Sequence, residues 1–434
     1  MRQFVMSGLN INSSGHLTVG GVSVPELARE YGTPLYILDE QVIRDNCREV
    51  IGGLREHYNA PFTVAFASKA LCFKELYRIL REEGMGADVV SGGELYTAVK
   101  GGFDPKGLYF HGNNKSASEI KYALESGVRR IVVDNAEELE LLGEIAAQGG
   151  YTPDISFRIK PGIDAHTHEF IKTGKIDSKF GLALETGEAA EVIARAAKMK
   201  TVRVVGINCH IGSQIFGTEP FALAAKVMLT FMRDLRENLG VPLNELNLGG
   251  GFGIKYLPNH EPVTLADMSR MCAESVTAIA NELNLPLPEL VLEPGRSITA
   301  PAGLTVYTIG SVKHIPGVNT YVAVDGGMTD NPRHALYGAS YEPIMPERPN
   351  APATQNVIIA GRLCESGDII TRNAPLPDVK TGDLLGIQAT GAYNFSMASN
   401  YNRVPRPPIV IVYKGKSRIA VRRQTYDDLL VCDQ

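Results

Sequence analysis

Strand-like and helix-like runs alternate eight times between residues 62 and 296, and this alternation limits the possible folds more than any other feature of the chain. The strand candidates are 62–67, 87–90, 107–112, 130–135, 155–160, 202–209, 243–249 and 289–295. Runs such as FTVAFA and VRVVGINC are nearly all apolar, the pattern of parallel strands buried on both faces. Helical segments fill the gaps, with apolar residues every three or four positions, and several stop at Gly. Eight βα units in about 235 residues are what a (β/α)8 barrel requires.

An open doubly wound sheet is the competing α/β architecture, and the positions of the polar residues decide against it. A doubly wound sheet gathers its site at one switch point, whereas a barrel draws on all its strand C-termini. Here Lys69, Asn113, His210, the glycines 249–253 and Glu293 follow strand candidates one, three, six, seven and eight. The barrel is the expected fold.

From about residue 300 the pattern changes to short β-rich runs separated by Gly, Pro and Asp turns, the mark of a mostly antiparallel β-domain. The expected organisation is a barrel over 36–299 and a β-domain over 300–434, which residues 1–35 join. A chain of 434 residues is long enough for two cores. Segments 161–181 and 337–355 read as loops serving a site, the first as a candidate lid.

With 44% apolar and 21% charged residues, the composition is that of a globular protein. No apolar run reaches the roughly 18 residues of a membrane span, and residues 1–15 lack the features of a secretory signal. A net charge of -5 gives no electrostatic reason to expect a nucleic-acid partner. The six cysteines are scattered without CxxC pairs, which suits reduced thiols and a cytoplasmic setting.

The chemistry-bearing residues sit where strands end. Lys69, in ASKA, is placed for a half-buried amine whose desolvation would free it as a nucleophile. GGGFG, from Gly249 to Gly253, offers amides that approach an oxyanion without β-carbon interference, and Ser213 in HIGSQ could add a hydroxyl. His210 could lie against an aromatic ring. Glu293 in EPGR could hold a pyridine nitrogen protonated, and Arg296 could meet a carboxylate with its planar fork. CESGD supplies Cys364 and Glu365 together, and adjacent residues serve one ligand only from a turn. Each also has a structural reading: a rim salt bridge, a core histidine, a tight turn, a Glu–Arg pair. His166 and His168 lack further ligands at metal spacing, so no metal site is expected.

Taken together, ASKA, HIGSQ, GGGFG, EPGR, DGGM, RHALYG and CESGD resemble the diaminopimelate decarboxylases, within the fold-type III pyridoxal-phosphate decarboxylases. The resemblance runs from GTPLYILDE at residue 32 to GAYNFSMASNYN at 391–402. It implies an alanine racemase-like barrel plus β-domain, pyridoxal 5'-phosphate as cofactor, and an obligate homodimer with shared active sites. By resemblance, the cofactor-bonding lysine falls on Lys69 and the ring-stacking histidine on His210. The cofactor phosphate falls to Ser213, Gly250, Gly251, Tyr393 and the EPGR backbone, Gly295 and Arg296 included, and the ring nitrogen to Glu293. Substrate contacts fall on Arg296, Arg333, Tyr337, Glu365 and Tyr393, with Cys364 as proton donor; Cys364 and Glu365 would come from the partner subunit.

The implied reaction is decarboxylation of meso-2,6-diaminopimelate to L-lysine. Diaminopimelate carries a distal ammonium and a distal carboxylate, so its pocket needs fixed cations and an acid, and Arg296, Arg333 and Glu365 supply both. An ornithine, arginine or lysine decarboxylase is the alternative on the same fold. A racemase of this fold is expected to place an arginine, not Glu293, at the ring nitrogen. A non-catalytic pyridoxal-phosphate carrier, the alternative of another class, would have no use for a β-domain bearing CESGD.

Overall fold

The computed structural model describes residues 4–163 and 178–434. His166, His168 and most of the 161–181 loop lie outside the described residues. The chain divides into two units, one of residues 46–253 and 262–297, the other of residues 1–45, 254–261 and 298–434.

The first unit holds eight parallel strands: β1 (Phe62–Ala67), β2 (Gly86–Val89), β3 (Leu108–Phe110), β4 (Arg130–Val133), β5 (Asp154–Lys160), β6 (Arg203–Cys209), β7 (Glu245–Asn247) and β8 (Glu289–Leu292). Each pairs with the next, and β8 returns to β1 with Leu290 opposite Phe62, which closes the barrel. Closure leaves no strand edge and encloses the apolar side chains that made these runs read as buried strands. Local sequence sets the helix limits. Ser116 and Glu119 form a reciprocal capping box at the start of Ala117–Ser126, and Gly127 closes that helix in the left-handed conformation. Ser91, Asn135 and Thr264 cap three further helices with their side chains.

One part of the eightfold pattern differs. Helices follow β1 to β7, but β8 leads only into the four-residue turn of helix Arg296–Thr299 and then into strand Gly303–Ile315. The helix preceding β1, Glu40–His57, takes the missing place. Its Gly53 lies so close to Ser269 of helix Leu265–Glu282 that a β-carbon would stand 2.2 Å from the hydroxyl, and its Arg48 pairs with Glu83 at 2.7 Å. Because the chain leaves the barrel at β8, the outer layer has to be completed from upstream.

At the N-terminal mouth, Arg130 and Glu245, the first residues of β4 and β7, are buried and joined by two hydrogen bonds of 2.9 and 2.5 Å. Arg129 reaches both oxygens of Glu289 at 2.6 and 2.7 Å. Removing one partner of such a buried pair costs about 3–5 kcal/mol, so this end reads as a structural seal.

The second unit is built on the 13-residue strand Gly303–Ile315. Its first half pairs antiparallel with Leu35–Asp39 and Leu384–Gln388, its second half with Asn319–Val324. Most pairings are antiparallel; Leu35–Asp39 with Ile409–Tyr413 and Asn319–Val324 with Gln355–Ala360 run parallel. Leu35, Ile37, Leu304, Val306, Val410 and Val412 form its core with Leu17, Val19, Val24 and Leu27 from the N-terminal segment. Each such side chain contributes about 1.5–3 kcal/mol of burial, which ties residues 4–35 to this unit. Residues 36–45 and 254–261, which the sequence pattern assigns to the barrel range, group with the β-domain. LYILD has the apolar run of a barrel strand, but its hydrogen-bonding partners are β-domain strands.

Candidate active site

Polar side chains collect at the C-terminal strand ends of the barrel. Lys69 lies in the one-turn segment Ser68–Ala70 directly after β1, a turn fixed from outside by Tyr77, whose hydroxyl donates to Ser68 Oγ at 2.8 Å. The Lys69 ammonium stands 3.9 Å from Oδ2 of the buried Asp88 at the end of β2. Burial pushes the Asp88 carboxyl up, against the pull of His111 and Lys69. Glu94, which accepts from Val90 N at 2.8 Å, is pushed up to about 7 by burial, opposed by that hydrogen bond and reinforced by Asp88.

Glu293 follows β8 and is almost wholly buried. Its Oε1 accepts from His111 Nε2 at 2.7 Å and from Asn247 Nδ2 at 2.6 Å. Burial alone raises a carboxylate; here the His111 imidazole, Asn247 and Lys69 outweigh it and hold Glu293 below its ordinary range. Glu293, Asp88 and His111 thus share one small polar cluster, with one ligand atom of each within 4.8 Å of the others.

The glycine run forms the wall beside this cluster. A β-carbon on Gly250 would stand 1.9 Å from the Glu293 carbonyl oxygen, and one on Gly251 would stand 2.2 Å from that of Gly212. No side chain larger than hydrogen fits at either position, so the backbone here stays bare of β-carbons. Gly250 N donates to Nδ1 of His210 at 3.3 Å, which makes Nδ1 an acceptor. Burial, with Lys69 and Arg158 nearby, pushes His210 well below the usual imidazole range, so it is a neutral ring. Ser213 Oγ accepts from Arg296 Nη2 at 2.9 Å, and Gly295 is packed against Ala67 and Ala70.

In the β-domain unit, Arg333 opens the short helix Arg333–Tyr337 and is buried. Its Nη1 donates to Tyr341 Oη at 2.9 Å, and its guanidinium carbon lies 5.1 Å from the Tyr256 ring centre. Tyr256 and Tyr341 meet edge to face at 5.5 Å, so two aromatic rings hold one fork in place. The Tyr393 hydroxyl raises the basicity of Arg333 after Tyr256 and Tyr341, against burial. Tyr337 ends the helix and is partly exposed. Cys364 and Glu365 are exposed in the turn between strands Gln355–Ala360 and Ile369–Leu376. Cys364 N donates to Asn402 Oδ1 at 2.8 Å, and Asp368 accepts from Met328 N and Leu363 N at 2.6 and 2.8 Å, which fastens the turn to DGGM. Among the described residues, no hydrogen bond or ion pair joins Cys364 or Glu365 to Arg333.

Sequence reasoning places Lys69, His210, Ser213, Gly250, Gly251, Glu293, Gly295 and Arg296 in one barrel, and the structure has them all at its strand C-termini or the loops that follow. It misses Asp88, His111 and Asn247; the polar residue at the third strand end is His111, not Asn113. A polar residue at or next to the end of an apolar strand, as in GADV, LYFH and ELN, was the available signal. Tyr256 and Tyr341 left no such signal. A cavity of about 670 Å³ lined by Lys106, Arg129, Arg203 and Glu289 sits at the opposite, N-terminal mouth, and its arginines are paired with acids.

A closed barrel with a lysine after β1, a glycine cradle after β7 and a buried carboxylate after β8, followed by a β-domain, defines a pyridoxal-phosphate decarboxylase of fold type III. Residues 45–300 match the family model described as pyridoxal-dependent decarboxylase, pyridoxal binding domain. Diaminopimelate decarboxylase of Bacillus subtilis is 44% identical over 427 residues, covering 97% of this chain and 96% of its own. Diaminopimelate decarboxylase from M. jannaschii, in complex with L-lysine, superposes with a TM-score of 0.92 at 36% identity, covering 100% of this chain and 99% of that one. The Helicobacter pylori enzyme, also with L-lysine, gives 0.85 at 31% identity, covering 94% and 98%. The chain belongs to the diaminopimelate decarboxylase family, and its cofactor is pyridoxal phosphate. The side-chain-free cradle and the neutral His210 fit that group.

Proposed function

We propose that the protein decarboxylates meso-2,6-diaminopimelate to L-lysine and CO2, the last step of lysine biosynthesis. When bound, pyridoxal phosphate supplies an aldehyde for the substrate amine and a ring that accepts the electron pair left as CO2 departs. Lys69 is the amine that would hold the cofactor, with Asp88 at 3.9 Å as its counter-charge. Glu293, kept ionised by His111 and Asn247, bonds the ring nitrogen. His210 stacks on the ring face in neutral form. The glycines Gly250, Gly251 and Gly295, the Ser213 hydroxyl, Arg296 and Tyr393 would line the phosphate.

The observation that carries the substrate choice is Arg333, a buried guanidinium held by Tyr341 at 2.9 Å and by the Tyr256 ring. A fixed fork of this kind suits a carboxylate, and diaminopimelate has a distal one that ornithine, arginine and lysine lack. Arg296 and Tyr393 contact the substrate as well as the phosphate, Tyr337 lines its path, and Glu365 meets the distal ammonium. Cys364 Sγ delivers the proton that replaces the lost carboxylate.

The exposed CESGD turn supports a homodimer in which Cys364 and Glu365 complete the partner's site, since among the described residues neither bonds to Arg333. Among the described residues, none of the six cysteines is joined in a disulfide, which supports a cytoplasmic location. Among the described residues, no helix is long and apolar enough to cross a membrane. The test is CO2 evolution by the purified, cofactor-loaded protein on diaminopimelate, ornithine, arginine and lysine. A clear preference for diaminopimelate is expected; equal rates on ornithine would overturn the substrate assignment.

A further inference from the structure

Glu293 has two carboxylate oxygens, and the protein occupies one of them. Oε1 accepts from both His111 Nε2 and Asn247 Nδ2, at 2.7 and 2.6 Å, and among the described residues no donor reaches Oε2. The two donors come from the ends of different strands, β3 and β7. His111 is itself anchored: its backbone N donates to Val89 O at 2.8 Å, extending the β2–β3 ladder. The next carbonyl, that of Gly112, is gripped by the buried Lys115 ammonium at 2.8 Å, which also bonds Val132 O and Glu138. His111 therefore has little freedom to follow a rotating carboxylate.

We infer that His111 is a positioning residue: with Asn247 it saturates Oε1 of Glu293, so that Oε2 alone remains to accept the N–H of the cofactor ring. The inference rests on the reading of Glu293 as the partner of the ring nitrogen. A carboxylate with both oxygens free could turn away or take up the proton itself. With Oε1 doubly bonded, rotation breaks two charge-assisted hydrogen bonds, and the acid keeps one orientation. His111 touches neither substrate nor cofactor in this scheme and acts through Glu293.

The test uses holoenzyme loaded with ¹⁵N-labelled pyridoxal phosphate, with the ring-nitrogen chemical shift read by NMR and cofactor affinity measured by titrating the apoprotein. His111→Phe should move the nitrogen signal toward the unprotonated form and weaken cofactor binding about tenfold. His111→Gln, whose amide can donate to the same oxygen, should restore both toward the parent values. Asn247→Leu, which removes the other donor, should repeat the effect of His111→Phe and serves if that variant fails to fold. A parent-like signal and affinity in His111→Phe, or equal damage in the Gln variant, would overturn the inference. Glu293→Gln, measured alongside, separates the two levels. If it leaves the ring nitrogen protonated, the reading of Glu293 itself fails; if it shifts the signal and His111→Phe does not, only the role of His111 fails.

Discussion

Gly250 and Glu293 approach so closely that a β-carbon on the first would stand 1.9 Å from the carbonyl oxygen of the second. The glycine run after β7, proposed to cradle the phosphate, and the backbone at Glu293 after β8 are thus packed directly against each other. Gly250→Ala should cost about 2–3 kcal/mol of stability through backbone overlap. It should also weaken cofactor binding at least tenfold. Thermal unfolding and cofactor titration check the two effects, and a variant that binds cofactor normally would show that the cradle is not where the phosphate sits.

Arg333→Lys keeps the charge and removes the fork. A lysine ammonium cannot offer a carboxylate two parallel N–H bonds while bonded to Tyr341, nor stack on Tyr256 in the same way. KM for diaminopimelate should rise roughly 10–100-fold, the worth of a charge-assisted hydrogen bond or two. The visible absorbance of the bound cofactor should not change. Steady-state kinetics decides, and an unaltered KM would remove Arg333 from substrate binding.

Glu94 makes a prediction about pH. Its folded-state pKa of about 7, raised by burial, exceeds its ordinary 4.5, so between those values the folded protein binds more protons than the unfolded chain. Its contribution to stability is complete at the acid end and is lost as pH rises through 7. Across roughly pH 5 to 7.5 the cofactor-free parent should lose on the order of 1–3 kcal/mol more than Glu94→Gln. Denaturant unfolding at several pH values measures the difference, and parallel curves would contradict it.

Shared sites can be tested by mixing two inactive proteins. Lys69→Ala and Cys364→Ala homodimers should each turn over poorly or not at all. If Cys364 serves the partner's site, random reassortment gives hybrids with one intact site, and activity should recover to about a quarter of the parent value. No recovery, with subunit exchange verified by mass, would place both residues in the site of one chain.

Much of the fold and of the cofactor half of the site was legible because barrel strands are apolar along their whole length and their polar residues fall at the ends. HIGSQ, GGGFG and EPGR each follow such a run, and short loops leave their side chains little choice of direction. Asp88, His111 and Asn247 obey the same rule but occupy single positions within or just after three- and four-residue strands, where no motif marks them. The helix Glu40–His57 could not be placed from the sequence, since completing an eightfold ring from upstream depends on closure rather than on local propensity. Tyr256 was hidden for a related reason: residues 254–261 follow the glycine run in sequence but pack with Tyr341 and Arg333 of the β-domain unit. Long-range packing of that kind has no periodicity to read.

The most direct test is stoichiometry. Purified protein loaded with pyridoxal phosphate is given meso-diaminopimelate labelled at its carboxyl carbons, and released CO2 and L-lysine are counted together, with Lys69→Ala as the control. The expected result is one CO2 for each L-lysine, with neither product from the Lys69→Ala protein. Epimerised diaminopimelate without CO2, or equal CO2 release by the Lys69→Ala protein, would contradict it.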